Sequence, residues 1–365
     1  MDLKHRLPKA GGLRRIILLV WPFILALVVF LTVRLAIGNP DLVEKYYSKG
    51  AYQFIAKVFS GFSSLIPFSL WDIFWTIFIL LIIIGLILAI FRKMKPGKYI
   101  LRLLQSLALI YSFFYLAWGF NYFRPAIGDR IGWETNKADE ADFRSILDSI
   151  IVNANSTYIG ISESDYSEIN LKIEESYGKN GSGLGISYPN GKRRPKKMVY
   201  SSFFAKAGVN GYFGPFFNEI HLDSFVFPME YPFVLAHEKS HQFGIANESE
   251  ANLAAFVICV NSPDKRLQYS GYTNLLLYFL SDASHLKDYG DFIKKIDKKV
   301  LRDLQLRREY YQGIQKEKLH KMQAAANNAY LKTNHIKQGI RNYNQVVSLV
   351  INWYDNRTTT TDIKD

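Results

Sequence analysis

The stretch PFVLAHEKSHQFGIANESEANLA, residues 232–254, decides how this chain is interpreted. It contains the pattern HExxH, and one helical turn separates His237 from His241, so both side chains project from one face and can reach one divalent ion. Glu238 then lies beside that ion without being needed as a ligand, where it can accept a proton from water. The motif therefore predicts a metal site on a helix, with Glu238 as the general base.

A second helix is predicted to follow the first after a short turn. Pro232 suits the first turn of the first helix, and Gly244 would end it. A catalytic zinc ion needs a third protein ligand and one open position. Glu248 and Glu250 lie near the first turn of the second helix, and a carboxylate there can return toward the histidines if the two helices pack antiparallel. Glu250 is the predicted third ligand, because it leads into small residues that permit close helix packing; Glu248 is the second choice.

Three uncharged apolar stretches occupy the first third of the chain, at about 16–33, 73–91 and 103–123. Each has eighteen or more residues, which at a helical rise of ~1.5 Å per residue covers a hydrocarbon core of about 30 Å. We therefore predict a membrane anchor over residues 1–124 with three transmembrane helices. The alternative, buried helices of a soluble bundle, is disfavoured because such helices rarely run this long without a charge.

The net charge of +13 is concentrated in this anchor. Residues 1–124 hold fifteen Lys and Arg against four acidic residues, and the rest of the chain is close to neutral. No nucleic-acid partner is therefore expected. Basic residues crowd the amino terminus and the link 92–102, which places both in the cytoplasm and everything after Arg124 outside it. Arg34 closes the first apolar stretch, which favours a retained anchor over a cleaved signal peptide.

Residues 125–356 are predicted to form one extracytoplasmic domain, mainly α with a small sheet, followed by a frayed tail at 357–365. The basic run 191–197 is expected to be a solvated loop, and Cys259 to be core. The segment Tyr46–Phe68 is either a helix on the membrane surface or a loop with one packed helix. Helices are predicted at Glu140–Ala154, Tyr166–Tyr177 and Asp291–Gln323, and strands at Met198–Phe204 and Tyr212–Leu222.

Other side chains are candidates for supporting roles at the site. Attack on a carbonyl needs a donor for the developing oxyanion, and the candidates are His221, His285, Tyr269 and Tyr272. Glu219 is either a partner that orients a histidine or an ordinary strand residue. Lys239 is unusual, because the middle positions of HExxH are usually uncharged in zinc peptidases.

The extended pattern HExxHQxGxxxExEAN carries a family resemblance. Together with the stretch Gly-Pro-Phe-Phe-Asn-Glu at 214–219 and Tyr-Ser-Gly-Tyr at 269–272, it resembles an uncharacterised bacterial family of membrane-anchored proteins with three amino-terminal helices and an HExxH domain. The Glu-Ala-Asn sequence at 250–252 is similar to the third-ligand helix of the ImmA-type zinc peptidases, whose glutamate binds zinc. The resemblance implies a zincin-like α+β domain on the bacterial inner (cytoplasmic) membrane, facing the periplasm or the cell exterior.

The sequence thus favours a membrane-anchored zinc metallopeptidase. It would hold one Zn²⁺ with His237, His241 and Glu250, and its partners would be the lipid bilayer and a peptide or protein substrate. The alternative is a non-catalytic envelope protein that uses a zincin-like fold for binding or assembly. Lys239 and the lack of an obvious oxyanion donor favour that alternative.

Overall fold

Three long apolar helices dominate the amino-terminal third of the molecule. The computed structural model describes residues 10–133, 139–161, 165–188, 191, 193–334 and 345–361. The elements of this part are, in order, α1 (Ala10–Ile37), α2 (Pro40–Leu42), a π-helix (Val43–Ala51), α3 (Tyr52–Ser64), α4 (Leu70–Ile90), α5 (Pro96–Ala117) and a 3₁₀ helix (Gly119–Phe123). The helices α1, α4 and α5 are long and apolar enough to cross a membrane. Most of their large apolar side chains face outward, so the three expected helices are confirmed and the chain is a membrane protein.

The helix α5 differs from the bounds predicted at 103–123. It begins at Pro96, whose fixed φ suits the first position of a helix, so Lys98 and Arg102 lie in its first turns and not in a link. At its other end Trp118 turns out of the helix with φ −157°. The last part of the predicted span, Gly119–Phe123, is therefore a separate 3₁₀ helix.

The segment between α1 and α4 is helical and has two unlike faces. On α3 and at its carboxy-terminal cap, the large apolar residues Phe54, Val58, Phe62 and Leu65 are exposed and share one side of the helix. On the other side Tyr52 is fully buried, and its hydroxyl donates to the carbonyl oxygen of Gln242 at 2.7 Å. This geometry combines the two alternatives, since one face packs on the carboxy-terminal domain and the other is suited to lie against lipid.

The remaining described chain forms a mostly helical domain with one small sheet. Its elements are α6 (Ile127–Ile131), α7 (Glu140–Ser156), α8 (Tyr166–Asn180), a 3₁₀ helix (Gly181–Leu184), β1 (Lys196–Lys197), α9 (Ser201–Ala207), β2 (Gly211–Gly214), β3 (Glu219–Leu222), a 3₁₀ helix (Pro228–Glu230), α10 (Tyr231–Gln242), α11 (Glu248–Val260), α12 (Lys265–Ala283), α13 (Tyr289–Lys295), α14 (Lys298–Ile314), α15 (Glu317–Thr333) and α16 (Val346–Thr361). The main hydrophobic core includes buried faces of α8, α10, α11 and α12. The tail expected to fray from 357 is helical to Thr361, and residues 362–365 lie outside the described residues. The expected fold class, mainly α with a small sheet, is confirmed.

The sheet has the strand order β1-β3-β2, with β1 parallel and β2 antiparallel to β3. The predicted strand Tyr212–Leu222 is in fact the hairpin β2–β3, and Asn218 in its turn adopts a left-handed φ of 52°. The strand predicted at Met198–Phe204 is wrong. Pairing ends there because the Val199 N–H donates to the Asp72 carboxylate at 2.8 Å, and the chain then enters the helix α9.

The long helix predicted at Asp291–Gln323 is broken into three, α13, α14 and α15. At the first break the Asp297 N–H donates to the side-chain oxygen of Asn155 at 2.9 Å. At the second the Lys316 N–H donates to the carbonyl oxygen of Lys206, also at 2.9 Å. Hydrogen bonds to other parts of the chain thus replace helical ones at both points, and they turn α15 back over α9.

The turn of the hairpin β2–β3 contacts two membrane helices. Its Phe216 ring lies 5.2 Å from Phe74 of α4 and 5.4 Å from Phe113 of α5, measured between ring centroids. At the opposite ends of these helices Tyr99 packs on Gly85, where an added Cβ would lie 2.6 Å from the ring. The two helices therefore contact each other directly at the end far from the domain, and at the near end the Phe216 ring contacts both.

The amino terminus of α4 is bonded to the sheet. The Glu219 carboxylate accepts from the Trp71 N–H at 3.0 Å and pairs with Lys196, whose ammonium group also donates to the carbonyl oxygen of Phe68. The expectation of a solvated loop at 191–197 is wrong for Lys196 and for Arg193. Both side chains are buried and paired. Lys196 pairs with the buried carboxylate of Glu219, and Arg193 pairs with the half-buried carboxylate of Glu174.

Candidate metal centre

The HExxH motif lies on α10, and a tight turn leads from it into α11. Gly244 ends the first helix with φ +88°, and an added Cβ there would lie 3.1 Å from the side chains of Asn121 and Tyr52, so a larger residue is disfavoured. Asn247 caps the second helix by accepting from the Glu250 N–H at 3.1 Å. The two helices pack against each other along their length, as the sequence predicts.

The two histidines point their Nε2 atoms at each other across 3.2 Å. His241 Nδ1 faces the carbonyl oxygen of Ile245 at 2.7 Å, so this nitrogen must be the donor. His237 Nδ1 faces the side-chain oxygen of Asn252 at 2.8 Å and has the same role. In the neutral state both rings therefore present an Nε2 lone pair to one shared space. Two lone pairs that face each other in this way can both bind one cation.

The carboxylate that joins the histidines belongs to Glu248. Its Oε2 lies 3.2 Å from Nε2 of His237 and 3.6 Å from Nε2 of His241. One ligand atom from each of the three residues falls within 4.8 Å of the others. The structure thus brings together His237, His241 and the second-choice glutamate.

Glu250, the first choice, is bonded elsewhere. Its carboxylate pairs with Arg130 at 2.7 Å and accepts from the Ile127 N–H at 2.9 Å. Two helical positions separate Glu250 from Glu248, so the two side chains leave α11 in different directions. In the structure Glu250 therefore fixes the segment after the membrane helices to α11, and the carboxylate beside the histidines is that of Glu248.

The pKa values show how strongly these groups attract positive charge. Burial alone would lower the pKa of His241, but the Glu248 and Glu238 carboxylates raise it to about 9. Burial alone would raise the pKa of Glu248, yet the two histidines hold it well below its usual range. Burial raises the pKa of Glu238, against the opposing effect of the histidines.

Glu238 lies between the histidines and the edge strand β2. An added Cβ on Gly211 would lie 2.7 Å from its Oε1, so the absence of a side chain lets the strand pass beside this carboxylate. Two cavities meet here, of about 540 and 230 Å³. Both are lined by Gly211, His237 and Glu238, and only the smaller also contains His241 and Glu248. Glu238 therefore borders both spaces in which a substrate could bind.

Lys239 does not approach the histidines. It is fully buried on another side of α10 and pairs with Glu174, which also accepts from Tyr188 and Arg193. Burial lowers the pKa of the lysine, and Glu174 offsets part of this effect. Its charge is thus structural, and the argument that Lys239 disfavours catalysis loses its force.

None of the four predicted oxyanion donors is among the residues lining these two cavities. Tyr269 donates to Asp303 at 2.8 Å, Tyr272 makes an edge-to-face contact with Phe256, His221 bonds to Ser69 at 2.8 Å, and His285 is exposed on the domain surface. Glu219 contacts His221 at 3.3 Å and anchors α4, so it orients neither histidine of the motif. Cys259 is buried, as expected, and burial raises the pKa of its thiol.

Sequence reasoning missed the polar groups that do surround the site. Asn252 orients His237 and donates to the Tyr278 hydroxyl at 3.3 Å. Tyr122 and Tyr330 are hydrogen-bonded to each other at 3.0 Å and line the smaller cavity. Asn252 is part of the quoted Glu-Ala-Asn motif, which was the available signal, whereas the two tyrosines are brought together from positions 208 residues apart.

A family model described as "Protein of unknown function (DUF3810)" matches residues 47–351. No curated protein and no solved structure matches the chain. The family description carries no activity, so function must be inferred from the site itself.

We expect Lys239→Met to lower the free energy of unfolding by about 3 kcal/mol, because it leaves the half-buried carboxylate of Glu174 without its ammonium partner. Thermal unfolding of the full-length protein in detergent measures the effect. Lys179→Met is the matched control, since Lys179 forms an exposed pair with Glu175 on the same helix as Glu174. Equal midpoints for the two variants would contradict a structural role for Lys239.

Proposed function

This chain belongs to the DUF3810 family, and we propose that it is a membrane-anchored zinc metallopeptidase whose ligands are His237, His241 and Glu248. The observation that carries the proposal is the convergence of two imidazole nitrogens and one carboxylate oxygen on a shared space beside Glu238. Two further features support it: each histidine is oriented through its Nδ1, and the site borders cavities that a substrate could enter.

The spacing of the three ligand atoms fits a tetrahedral ion. Nitrogen ligands about 2.0–2.1 Å from a tetrahedral zinc lie roughly 3.3 Å apart, and the two Nε2 atoms are separated by 3.2 Å. The distances from Glu248 Oε2, 3.2 and 3.6 Å, are of the same size. Three protein ligands leave a fourth position open, which distinguishes a catalytic site from a structural one. The same donors suit iron or manganese, so metal analysis of the purified protein identifies the ion.

When bound, the ion would supply Lewis acidity, which polarises a carbonyl group and makes water more acidic. Glu238 accepts the proton of the attacking water and passes it to the leaving amine. Its burial favours this role, because a carboxyl group with a raised pKa holds the transferred proton better at neutral pH. Tyr330, at the wall of the smaller cavity, supplies a hydroxyl donor for the developing oxyanion, because Tyr122 donates its own proton to the Tyr330 oxygen and leaves the Tyr330 proton free.

The strand β2 offers a place for the substrate backbone. It pairs with β3 on one side only, and Gly211, Tyr212 and Phe213 line the smaller cavity. An extended peptide that adds to this edge gains backbone hydrogen bonds and passes beside Glu238. This arrangement supports a peptide or protein as the substrate.

We further propose that the domain faces the periplasm or the cell exterior and the turn between α4 and α5 faces the cytoplasm. Basic residues at that turn and at the amino terminus support this orientation.

Cysteine labelling tests the orientation. The only native cysteine, Cys259, is buried, so a maleimide should label only a cysteine that has been introduced. Ser202→Cys in the domain should react with a membrane-impermeant maleimide on intact cells, and Lys93→Cys should react only after permeabilisation. The reverse pattern would contradict the orientation.

Substitution of the two glutamates of α11 tests the ligand set. Glu248→Gln should lower zinc affinity strongly, because it removes a charged ligand, whereas Glu250→Gln should keep zinc and lower thermal stability through the loss of the Arg130 pair. Zinc content after equilibration with a competing chelator, measured on full-length protein in detergent, separates the outcomes. Zinc loss in Glu250→Gln alone would restore the original assignment.

Glu238→Gln tests catalysis. It should retain zinc and lower peptide hydrolysis by roughly 10²–10⁴-fold, the usual contribution of a general base. Turnover of a quenched-fluorescent peptide library is measured beside zinc content, with the exposed Glu175→Gln as control. A non-catalytic envelope protein would show no hydrolysis above background in wild type. Wild-type protein that binds no divalent metal would also refute the proposal.

A further inference from the structure

An apolar cavity of about 680 Å³ lies where the membrane helices α4 and α5 meet the domain. Its wall is mostly aromatic and aliphatic, with Trp71 and Trp75 from α4 and Leu107, Ile110 and Phe114 from α5. On the domain side it is closed by α9, β2 and α15. Its chemistry therefore resembles the membrane interior more than the polar site beside it.

This cavity continues into the site. It shares Tyr212, Phe213, Pro215 and Tyr330 with the smaller cavity that holds His241 and Glu248. A ligand that fills both spaces would have an apolar part among the membrane helices and a polar part beside Glu238. The substrate should therefore be amphipathic, with its reacting bond close to an apolar anchor.

The cavity lies at the level of the hydrocarbon region. Leu107 and Ile110 lie within the membrane-spanning segment Pro96–Ala117, and Leu107 is 47% exposed. Phe216 contacts both α4 and α5 at this level, while Tyr99 and Gly85 keep their far ends in contact. A chain that enters beside Leu107 would come from the bilayer without first passing through water.

The size and location of the cavity select one kind of occupant. A transmembrane helix, about 10 Å across and ~30 Å long, is far too large for it. An extended polypeptide would bring backbone N–H and C=O groups into a region with few partners, at a cost of several kcal/mol each. An acyl chain has no such groups, and its methylene groups gain by burial among aromatic rings.

We propose that the substrate is a peptide with a covalently attached acyl chain, which enters between α4 and α5 while the peptide reaches Glu238. The inference rests on the proposed peptidase function for the reacting end of the substrate, and on the cavity alone for the acyl chain. Binding of the chain and hydrolysis of the peptide are therefore measured separately.

Binding is tested with full-length Glu238→Gln protein in phosphatidylcholine nanodiscs. The probe is a peptide that carries an N-terminal palmitoyl group with a diazirine in the chain, and crosslinks are mapped by mass spectrometry. We expect labelling at Trp75 and Ile110 that an unreactive palmitoyl peptide competes away, and that neither the acetylated peptide nor free palmitate affects. Competition by free palmitate to the same extent would mean that the cavity holds any lipid chain, and would overturn the proposal.

A matched pair of variants locates the entry. Leu107→Trp narrows the cavity, whereas Leu104→Trp alters an equally exposed position of α5 outside its lining. We expect labelling to fall roughly tenfold in Leu107→Trp, because about two methylene groups of the acyl chain would no longer be buried. Labelling should stay unchanged in Leu104→Trp. Equal labelling of the two variants would overturn the proposed route.

Hydrolysis by the wild-type protein separates this inference from the proposed function. Preferential cleavage of the palmitoyl peptide, through a lower KM, supports both. Equal cleavage of palmitoyl and acetyl peptides would overturn the acyl site and leave the peptidase intact. Specific labelling of the cavity without cleavage of either peptide would refute the peptidase and support the acyl site.

Discussion

The arrangement of this molecule depends on the hydrogen bonds and the ion pair that the Glu219 carboxylate forms. This carboxylate lies on the central strand of the sheet, accepts hydrogen bonds from the first backbone N–H groups of α4 and is neutralised by Lys196. A buried carboxylate at the amino terminus of a helix is stabilised by unpaired N–H groups and by the helix dipole. Because the same hairpin carries β2 past Glu238, the position of the membrane helix and the position of the candidate site are set by one group of contacts.

The hairpin β2–β3 therefore contributes to three contact surfaces. One edge of β2 borders the candidate metal centre, its turn inserts Phe216 between α4 and α5, and the Tyr212 hydroxyl donates to Asp72 of α4. A residue that contributes to several surfaces is constrained by all of them. The Gly-Pro-Phe-Phe-Asn-Glu sequence of this turn thus has a structural explanation: within a few positions it carries the Phe216 ring that contacts both membrane helices, the left-handed Asn218 and the Glu219 carboxylate that anchors α4.

Local sequence patterns predicted the parts of the structure that local physics determines. Hydrophobic length predicted the three membrane helices, and the spacing of His237 and His241 predicted that one helical face would hold both. The patterns are silent where distant residues decide. Glu250 was preferred because it leads into small residues, and nothing nearby in the sequence signals that Arg130, 120 residues earlier, takes its carboxylate. Lys239 counted against catalysis because the middle positions of HExxH are usually uncharged, and the sequence does not signal that its partner is Glu174 on another helix. The strand predicted at 198–204 ends because Asp72, in the membrane anchor, takes a backbone N–H group.

Tyr52 links the helix α3 to the candidate metal centre. Its hydroxyl joins α3, whose outer face is apolar, to the last turn of α10 and to Asn218 of the hairpin. The surface helix, the histidine-bearing helix and the hairpin therefore cannot shift relative to one another without breaking buried hydrogen bonds. Such an assembly would hold the candidate site at a fixed height above the bilayer. A hydrolase built this way would choose the bond to cleave by its height above the membrane, and the side chains around that bond would matter less than their distance from the anchor.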